Sequence, residues 1–321
     1  MHSQSKVPDI GVDVAKDAIV SASADGSFSR RQVRNQRTEL RQFLKGLPAG
    51  SRIGMESTGS YHELLAETAH KLGFVVFVLN PKDVHHYAKA VGVRGKTDRV
   101  DAELIARMVE REHEKLHPWI PPTPEQRQID RLLKRRAKVS GIRVTLKQSV
   151  KDLIEFRADL KVVSERLDRL IKRMDAKVKV LIEENKDRKQ HYDRLGKITG
   201  LGGTVVRGSV LNVLERVPLR SADAFIAFTG LDPRPDESGH HTGRRRLSKR
   251  GPSELRRLLY IAAMAAVKTK LWKPIYGHYR AKGLSTTAAL VVIARRIART
   301  AWSVYTHKTE FDPKRIALTL T

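Results

Sequence analysis

Four acidic residues in the first third of the chain have the residue types and positions of divalent-metal ligands. Asp13 lies in an apolar segment, IGVDV, where an unpaired carboxylate would be costly. Glu56 ends a second such segment, IGME, directly before Ser-Thr-Gly. Asp98 and Asp101 are three residues apart, so a helix would carry both on one face. Their oxygens suit Mg²⁺, and two such ions can clamp the attacking and leaving oxygens of a phosphodiester.

For each acid alone, a structural role at a strand end or in the first turn of a helix is the simpler interpretation. The order of the four acids on an alternating strand and helix pattern nevertheless favours a metal-dependent phosphodiester site.

A second group of candidate residues lies in a polar loop at 236–251, DESGHHTGRRRLSKRG. Ser238 precedes a glycine, and its hydroxyl is a candidate nucleophile for a phosphate. The basic residues that could screen the phosphate charge are Arg244, Arg245, Arg246, Lys249 and Arg250. His240 and His241 are explained better as solvated residues at the tip of the loop, or as phosphate contacts, than as metal ligands. From residue types alone, a nucleic-acid-binding loop with serine spacers is favoured over a catalytic one.

The charge of the chain indicates a polyanionic partner. The 321 residues include 62 Lys and Arg against 35 Asp and Glu, a formal net charge of +27. Residues 1–116 carry a net +3, residues 117–196 a net +9 and residues 197–321 a net +15. Nucleic acid is the expected partner of the last two segments, because each neutralised phosphate releases counterions.

The composition also excludes several classes of protein. The chain has no cysteine, which excludes a disulfide scaffold, a thiol nucleophile and a cysteine-based zinc site. No apolar run approaches the roughly 18–20 residues of a membrane span, and the first residues do not resemble a secretion signal. We therefore expect a soluble, cytoplasmic protein with no membrane partner.

Residues 1–116 are expected to form a mixed α/β domain. Segments 7–14, 18–24 and 28–33 resemble strands, and the last two are joined by an Asp-Gly turn typical of hairpins. Further strands are expected at 52–55 and 74–79. Helices are expected at 37–47, at 61–72, from Pro81, and at 98–111 after the N-cap Thr97. Hairpin strands followed by strand–helix units predict a mixed sheet.

A proline-rich linker at 117–124, HPWIPPTP, marks a domain boundary. From 125 to 184 a single heptad frame places apolar residues at all eight a positions and at four of seven d positions, the latter being Ile142, Phe156, Val163 and Leu170. This pattern predicts a long helix or helical hairpin with a coiled-coil seam over 125–190, assigned to dimerisation. An amphipathic helix packed on its own domain is the alternative.

Residues 191–321 are expected to be mostly helical, with helices at 253–268 and 284–307. The segment ITGLGG at 198–203 resembles a helix–hairpin–helix turn, in which backbone amides approach a phosphate, but a plain glycine-rich connector fits equally well.

Several motifs, in order along nearly the whole chain, resemble those of insertion-sequence one-ten family transposases. The segments IGVDVAK (10–16), GMESTGSY (54–61), Asn-Pro (80–81) and KTDRVDA (96–102) resemble the N-terminal domain of that family. The stretch 198–260, which includes GLDPRPDESGHHTGRRRLSKRGPSELRRLLY, resembles its C-terminal domain.

The resemblance implies an RNase H-like, RuvC-type catalytic domain at 1–116 that holds Mg²⁺, with Mn²⁺ as the alternative. Its four acids would be Asp13, Glu56, Asp98 and Asp101. The resemblance also implies a C-terminal transposase domain at 191–321 whose serine forms a covalent 5′-phosphoserine with DNA. Ser238, the serine before glycine, matches this role best, and Ser248 is the second candidate.

The implied activity is RNA-guided recombination of an insertion sequence. In this family a structured noncoding guide RNA, the bridge RNA, pairs with target and donor DNA. Dimers join into tetramers, and the serine of one subunit completes the acidic site of another.

Other functions remain open at this point. A junction-resolving nuclease that uses water would need only the four acids, and a non-catalytic nucleic-acid-binding protein would need none of them. An actin-like sugar kinase is disfavoured by the large basic charge and by the lack of a second glycine-rich nucleotide motif.

Overall fold

The structure, a computed structural model, describes residues 7–26, 28, 31–93, 97–234, 237–238, 241–242 and 246–317, the two short pairs by their backbone alone. The chain divides into two compact units, Met1–Pro121 and Pro122–Thr321. The division falls inside the proline-rich segment at 117–124.

The first unit is built on one five-stranded mixed sheet. Its strands are β1 (Asp9–Val14), β2 (Ala18–Ser23), β3 (Arg31–Arg34), β4 (Arg52–Glu56) and β5 (Val75–Leu79). The strand order is β3-β2-β1-β4-β5. The first three strands are antiparallel neighbours, and β4 and β5 continue the sheet in parallel with β1. The expected mixed α/β fold is confirmed for this unit.

Four helices cover the two faces of this sheet. They are α1 (Arg37–Lys45), α2 (His62–Lys71), α3 (Pro81–Ala90) and α4 (Asp98–Glu112). Side chains at alternate positions of β1, such as Ile10 and Val12, share a core with α1 and α2. Phe77 and Leu79 of β5 pack instead with α3 and α4. Thr97 caps α4 as expected, accepting a hydrogen bond from the Val100 amide at 3.3 Å.

The second unit begins with a helical hairpin. Helix α5 (Pro124–Ser149) starts at a capping box formed by Thr123 and Gln126. A 3₁₀ turn at Ile154–Phe156 leads into α6 (Arg157–Glu183). The ion pairs Arg136–Asp175, at 3.0 Å, and Arg143–Asp168 join the helices and show that they run antiparallel.

The buried side chains of this hairpin match the predicted heptad positions only in part. The apolar d positions, Ile142, Phe156, Val163 and Leu170, are exposed within the chain. In α6 the buried side chains include Ile171 and Val178, one residue after d positions of the predicted frame. The reason is that α6 contacts α5 together with the body of the unit, so its buried stripe is wider than a two-position seam.

The described part of the second unit contains seven further helices. They are α7 (Lys186–Gly196), α8 (Thr204–Arg216), α9 (Ala222–Thr229), α10 (Ser253–Ala266), α11 (Trp272–Ala281), α12 (Thr286–His307) and α13 (Pro313–Ala317). Helix α12 is lined on one side by the buried Leu290, Ile293 and Ile297. The expectation of a mostly helical C-terminal region is confirmed.

The segment expected to be a polar loop contains two short pairs of antiparallel strands. These are β6 (Pro233–Arg234) with β9 (Arg246–Leu247), and β7 (Glu237–Ser238) with β8 (His241–Thr242). We call residues 233–247 the ribbon. In the part of the chain that the structure describes, no helix is long and apolar enough to cross a membrane.

Candidate active site

The register between β1 and β4 is supported by a buried ion pair at one end of the two strands. Asp9 and Arg52 are cross-strand partners, and the guanidinium donates to both carboxylate oxygens at 2.5 and 2.7 Å. Asp9 is buried, and the hydrogen bond that Arg52 donates to it raises the pKa of the Arg52 guanidinium above its usual value. Because a slip of one residue would separate this pair and turn every side chain to the other face, the pair favours one alignment. In that alignment Gly11 lies beside Gly54.

The two glycines allow α4 to lie directly against the sheet. A Cβ at Gly11 would overlap the backbone of Ala102 and Ala106, and a Cβ at Gly54 would overlap a methyl group of Val109 and lie 3.0 Å from one of Ile105. Neighbouring strands therefore present bare backbone where the helix crosses them. This close approach places the first turn of α4 beside the sheet.

Two of the predicted acids project from the face that α4 covers. Val12 pairs with Met55, so Asp13 and Glu56 are the next residues on neighbouring parallel strands. Each follows its glycine by two positions and therefore points to the same face as that glycine. Both side chains are half-buried.

The other two acids lie in the first turn of α4, where Asp101 is half-buried and Asp98 is exposed. The structure thus brings Asp13, Glu56 and Asp101 to one face of the sheet. Asp98, the first residue of the helix, lies three positions before Asp101 and has an exposed side chain. Among the described residues, no three histidine or acidic side chains are close enough to form a ready-made metal cluster.

The donor set is nevertheless of one chemical kind. Four carboxylates offer only hard oxygen atoms, the ligands that Mg²⁺ and Mn²⁺ accept and that softer metals prefer less. Carboxylates at strand ends beside a covering helix are therefore suited to a hard divalent cation.

The ribbon of the second unit carries the predicted nucleophile. The backbone of Ser238 lies in β7 opposite His241, in the inner strand pair of the ribbon. The Ser238 side chain lies outside the described residues, as do Arg244 and Arg245. Arg246 lies in β9 opposite Arg234, and the predicted phosphate contacts Lys249 and Arg250 follow it.

Ser248, the second candidate nucleophile, lies at the base of the ribbon. Its hydroxyl donates a hydrogen bond to the carboxylate of Asp232, and its amide donates to the carbonyl of the same residue at 2.9 Å. Both side chains are half-buried. The Ser248 hydroxyl is therefore engaged within the chain.

Comparison with protein families gives two matches, one after the other along the chain. A family model for the DEDD transposases of IS110, described as "Transposase", matches residues 10–156. A second, described as "Transposase IS116/IS110/IS902 family", matches residues 192–279. The chain belongs to the IS110 family of transposases. It is accordingly an enzyme of DNA recombination, as its predicted membership implied.

Curated relatives support this membership over most of the transposase. The chain is 27% identical to "Transposase for insertion sequence element IS1328" of Yersinia enterocolitica, over 94% of this chain and 98% of the relative. It is 25% identical to the "Pilin gene-inverting protein" of Moraxella bovis over 82% of each chain. It is 23% identical to a "Probable family 20 transposase" of Pseudomonas aeruginosa over 95% of this chain and 98% of the relative.

A basic stripe on α6 gives particular residues to the nucleic-acid contact that the sequence predicted for 117–196 from its net charge. The stripe consists of Arg166, Arg169, Arg173 and Lys177, all exposed and spaced so that they share one helix face. Within the described part of the chain, none of the four forms an ion pair with another residue. The spacing of three or four residues between cations was the available signal, but the heptad pattern drew attention to the apolar positions instead.

Three further features of the transposase were also missed by sequence analysis. The Asp9–Arg52 pair and the Asp232–Ser248 pair join residues far apart in sequence. The facing glycines, Gly11 and Gly54, each follow the same apolar residue, isoleucine, and each precede an acid by two positions, so their shared pattern was a usable signal.

Proposed function

We propose that this transposase cuts and rejoins DNA strands with a metal-loaded acidic site in the first unit and Ser238 of the second. The observation that carries the proposal is the placement of Asp13 and Glu56 on the sheet face that α4 covers, with Asp101 in the first turn of that helix. The mixed five-stranded sheet supports assignment of the first unit to the RNase H-like, RuvC-type fold that the resemblance implied.

The residues that would hold the metal are Asp13, Glu56, Asp98 and Asp101. When bound there, Mg²⁺ or Mn²⁺ supplies positive charge that stabilises the additional negative charge on a phosphate under attack. The carboxylates would hold the cation, and α4, which covers that face of the sheet, would limit the access of water to it.

Ser238 would act as the nucleophile. Its Oγ forms a bond to the phosphorus of the scissile phosphodiester, the bond from phosphorus to the 3′ oxygen breaks, and the serine proton is released while the departing oxygen takes up a proton. The product is a 5′-phosphoserine and a free 3′-hydroxyl. A 3′-hydroxyl of another strand then attacks the same phosphorus, which breaks the bond to Oγ and restores the serine. Because the enzyme stores the phosphoester, joining needs no nucleotide cofactor.

Nucleic acid is the partner that the charge supports. The formal net charge of +27, the cations at the base of the ribbon and the α6 stripe all favour phosphate backbones. We assign these surfaces to target and donor DNA duplexes and to a noncoding guide RNA, the bridge RNA of the resemblance. The location that we propose for this activity is the prokaryotic cytoplasm, where the DNA of an insertion sequence would be reached.

The assembly proposed is a homodimer that joins into a homotetramer. Towards the turn of the α5–α6 hairpin, the predicted d residues Ile142, Phe156 and Val163 are exposed. Leu170 is also exposed, but it lies among the cations of the α6 stripe and is left out of this interface. Transferring such side chains from water into a coiled-coil interface is favourable by about 25 cal/mol per Å² of apolar surface. A second copy that covers these side chains would pair the subunits.

The experiment that tests the function is capture of the covalent protein–DNA intermediate. Wild-type transposase with its copurified RNA is incubated with Mg²⁺ and DNA carrying the ends of its element, denatured and digested. We expect a denaturation-resistant adduct in which a 5′ phosphate is attached to Ser238. Ser238→Ala should form no adduct and bind the RNA within about twofold of wild type, since the substitution removes one uncharged hydroxyl group and no positive charge.

An undiminished adduct in Ser238→Ala would overturn the assignment of the nucleophile. Cut DNA with free 5′-phosphate ends and no adduct in the wild type would instead show a nuclease that uses water. Asp13→Asn serves as the matched control of the acidic site: it should lose the adduct while its circular dichroism and melting temperature stay near those of wild type.

A further inference from the structure

The ribbon that carries Ser238 is closed at its base by contacts between its two sides. Ser248 contacts Asp232 twice, through the hydroxyl–carboxylate hydrogen bond and through the amide that donates to the Asp232 carbonyl at 2.9 Å. The amide of Lys249 donates to the carbonyl of Gly230 at 3.2 Å. Asp232 immediately precedes β6 and Ser248 immediately follows β9. The two sides of the ribbon are therefore joined just where they leave the helical body.

The backbone on both sides of this junction is held in the left-handed region. Gly230 has a φ of +69° and Lys249 a φ of +51°. For a residue with a side chain, such a conformation is strained and persists where the surroundings enforce it. Lys249 is one of two such non-glycine residues in the described chain, and it directly follows Ser248.

The body of the unit packs closely against the same junction. Arg256 of α10 donates to the carbonyls of Thr229 and Gly251 at 3.1 and 2.9 Å, so one guanidinium group bridges the chain before and after the ribbon. A Cβ at Gly230 would lie 2.8 Å from this guanidinium, and a Cβ at Gly251 would overlap the backbone of Phe228. Little free space remains in which the base of the ribbon could shift.

The strand pairs of the ribbon are too short to hold its position without such support. Each pair contains two residues per strand, and an isolated two-stranded hairpin is at best marginally stable in water. Ser238 lies four residues beyond Arg234, the last residue of β6. Support for the direction of the ribbon therefore has to come from its base.

We propose that Asp232 and Ser248 are positioning residues that fix the ribbon so that Ser238 meets the scissile phosphate. The proposal rests on the proposed function, in which Ser238 is the nucleophile. The Ser248 hydroxyl acts through its hydrogen bond to Asp232 and does not react with DNA. Because a displacement of about 1 Å at a reacting group costs on the order of 100-fold in rate, loss of this hydrogen bond slows the chemical step.

The test is the single-turnover rate of adduct formation, measured with saturating DNA and the copurified RNA. We expect Ser248→Ala and Asp232→Ala to slow the adduct by about 10- to 100-fold, because each removes one partner of the hydrogen bond. Ser248→Thr keeps the hydroxyl, and Asp232→Asn keeps an acceptor oxygen in a weaker bond, so both should stay within about fivefold of wild type. The adduct should map to Ser238 in every variant that forms one.

The Asn variant distinguishes positioning from chemistry. An Asp232 carboxylate that took the proton of a nucleophilic Ser248 could not be replaced by an amide, so Asp232→Asn would then be as inactive as Ser248→Ala. That result, or an adduct mapped to Ser248, would overturn the proposal. The proposed function fails by a different observation, an adduct that persists in Ser238→Ala.

The control for removal of a serine hydroxyl is Ser253→Ala, at the exposed first residue of α10, which should react at the wild-type rate. DNA affinity and melting temperature are measured for every variant. A wild-type rate in Ser248→Ala would refute the positioning role. The role would also be refuted if Ser248→Ala lowered the DNA affinity and the melting temperature together with the rate, and Ser248→Thr restored none of the three. That result would indicate a general role in folding.

Discussion

At the scale of single residues, the absence of two side chains matters as much as the presence of the four acids. Gly11 and Gly54 let α4 approach the sheet, and the acids that follow them project from that same face. Gly11→Ala would force a methyl group into the backbone of α4. Overpacking of this kind costs about 1–3 kcal/mol, and the displaced helix would carry Asp101 with it. We expect a lower melting temperature and a larger loss of adduct formation than of RNA binding.

A matched control is available in the second unit. Gly141 lies in α5 with nothing near the position of a Cβ, so Gly141→Ala should raise the unfolding free energy by about 0.5–1 kcal/mol. Urea unfolding followed by circular dichroism measures both variants. Equal stability of wild type and Gly11→Ala would show that α4 does not lie against the sheet as described.

Local sequence patterns were sufficient to predict the elements around the acids. The apolar segment around Asp13 predicted β1, and the cap at Thr97 predicted the start of α4, because both signals lie within a few neighbouring residues. The Asp9–Arg52 pair spans 43 residues and the Asp232–Ser248 pair spans 16. Neither could be predicted from spacing, since a hydrogen bond between distant residues depends on how the whole unit folds.

At the scale of elements, the heptad frame shows where periodicity stops being informative. It predicted helices at 125–184, and α5 and α6 occupy most of that range. It did not predict the turn around Ile154–Phe156, because the a positions continue through it without a break. Nor could it show that Ile171 and Val178 would be buried while Leu170 stays exposed. Which side of a helix is covered depends on the other helices that contact it.

The basic stripe on α6 gives a prediction at this scale. From Arg166 to Lys177 it extends over about 16 Å of helix, enough for several phosphates of one strand. Replacing Arg169 and Arg173 by Gln should weaken binding of the copurified RNA and reduce the slope of log K against log salt by about 1 for each lost contact. Fluorescence anisotropy at several salt concentrations measures both quantities.

The control carries its charge on a different face of the same helix. Lys179 pairs with Glu183 at 3.8 Å, so Lys179→Gln should leave the salt slope near that of wild type. If the double Gln variant and this control had the same slope, the stripe would not contact the nucleic acid.

At the scale of the whole molecule, the proposed chemistry is divided between two compact units. The four acids belong to the first unit and Ser238 to the second, 137 residues after Asp101. The apolar d residues of the hairpin, which a single chain leaves in water, lie in the second unit. A dimer would cover these residues and would also allow the serine of one subunit to serve the acids of another.

Mixing two inactive variants tests whether the acids and the serine of one reaction come from different subunits. Asp13→Asn keeps Ser238, and Ser238→Ala keeps the four acids, so neither should form an adduct alone. If the acids and the serine of one reaction come from different subunits, random mixed assemblies regain adduct formation at about a quarter of the sites, since half the subunits supply each part. The adduct should be attached only to the Asp13→Asn chain, which a small mass tag identifies.

The control is a chain that carries both substitutions, Asp13→Asn and Ser238→Ala. Mixing this chain with either single variant should restore no adduct formation. If native mass spectrometry shows mixed assemblies and no adduct forms, each subunit uses its own serine.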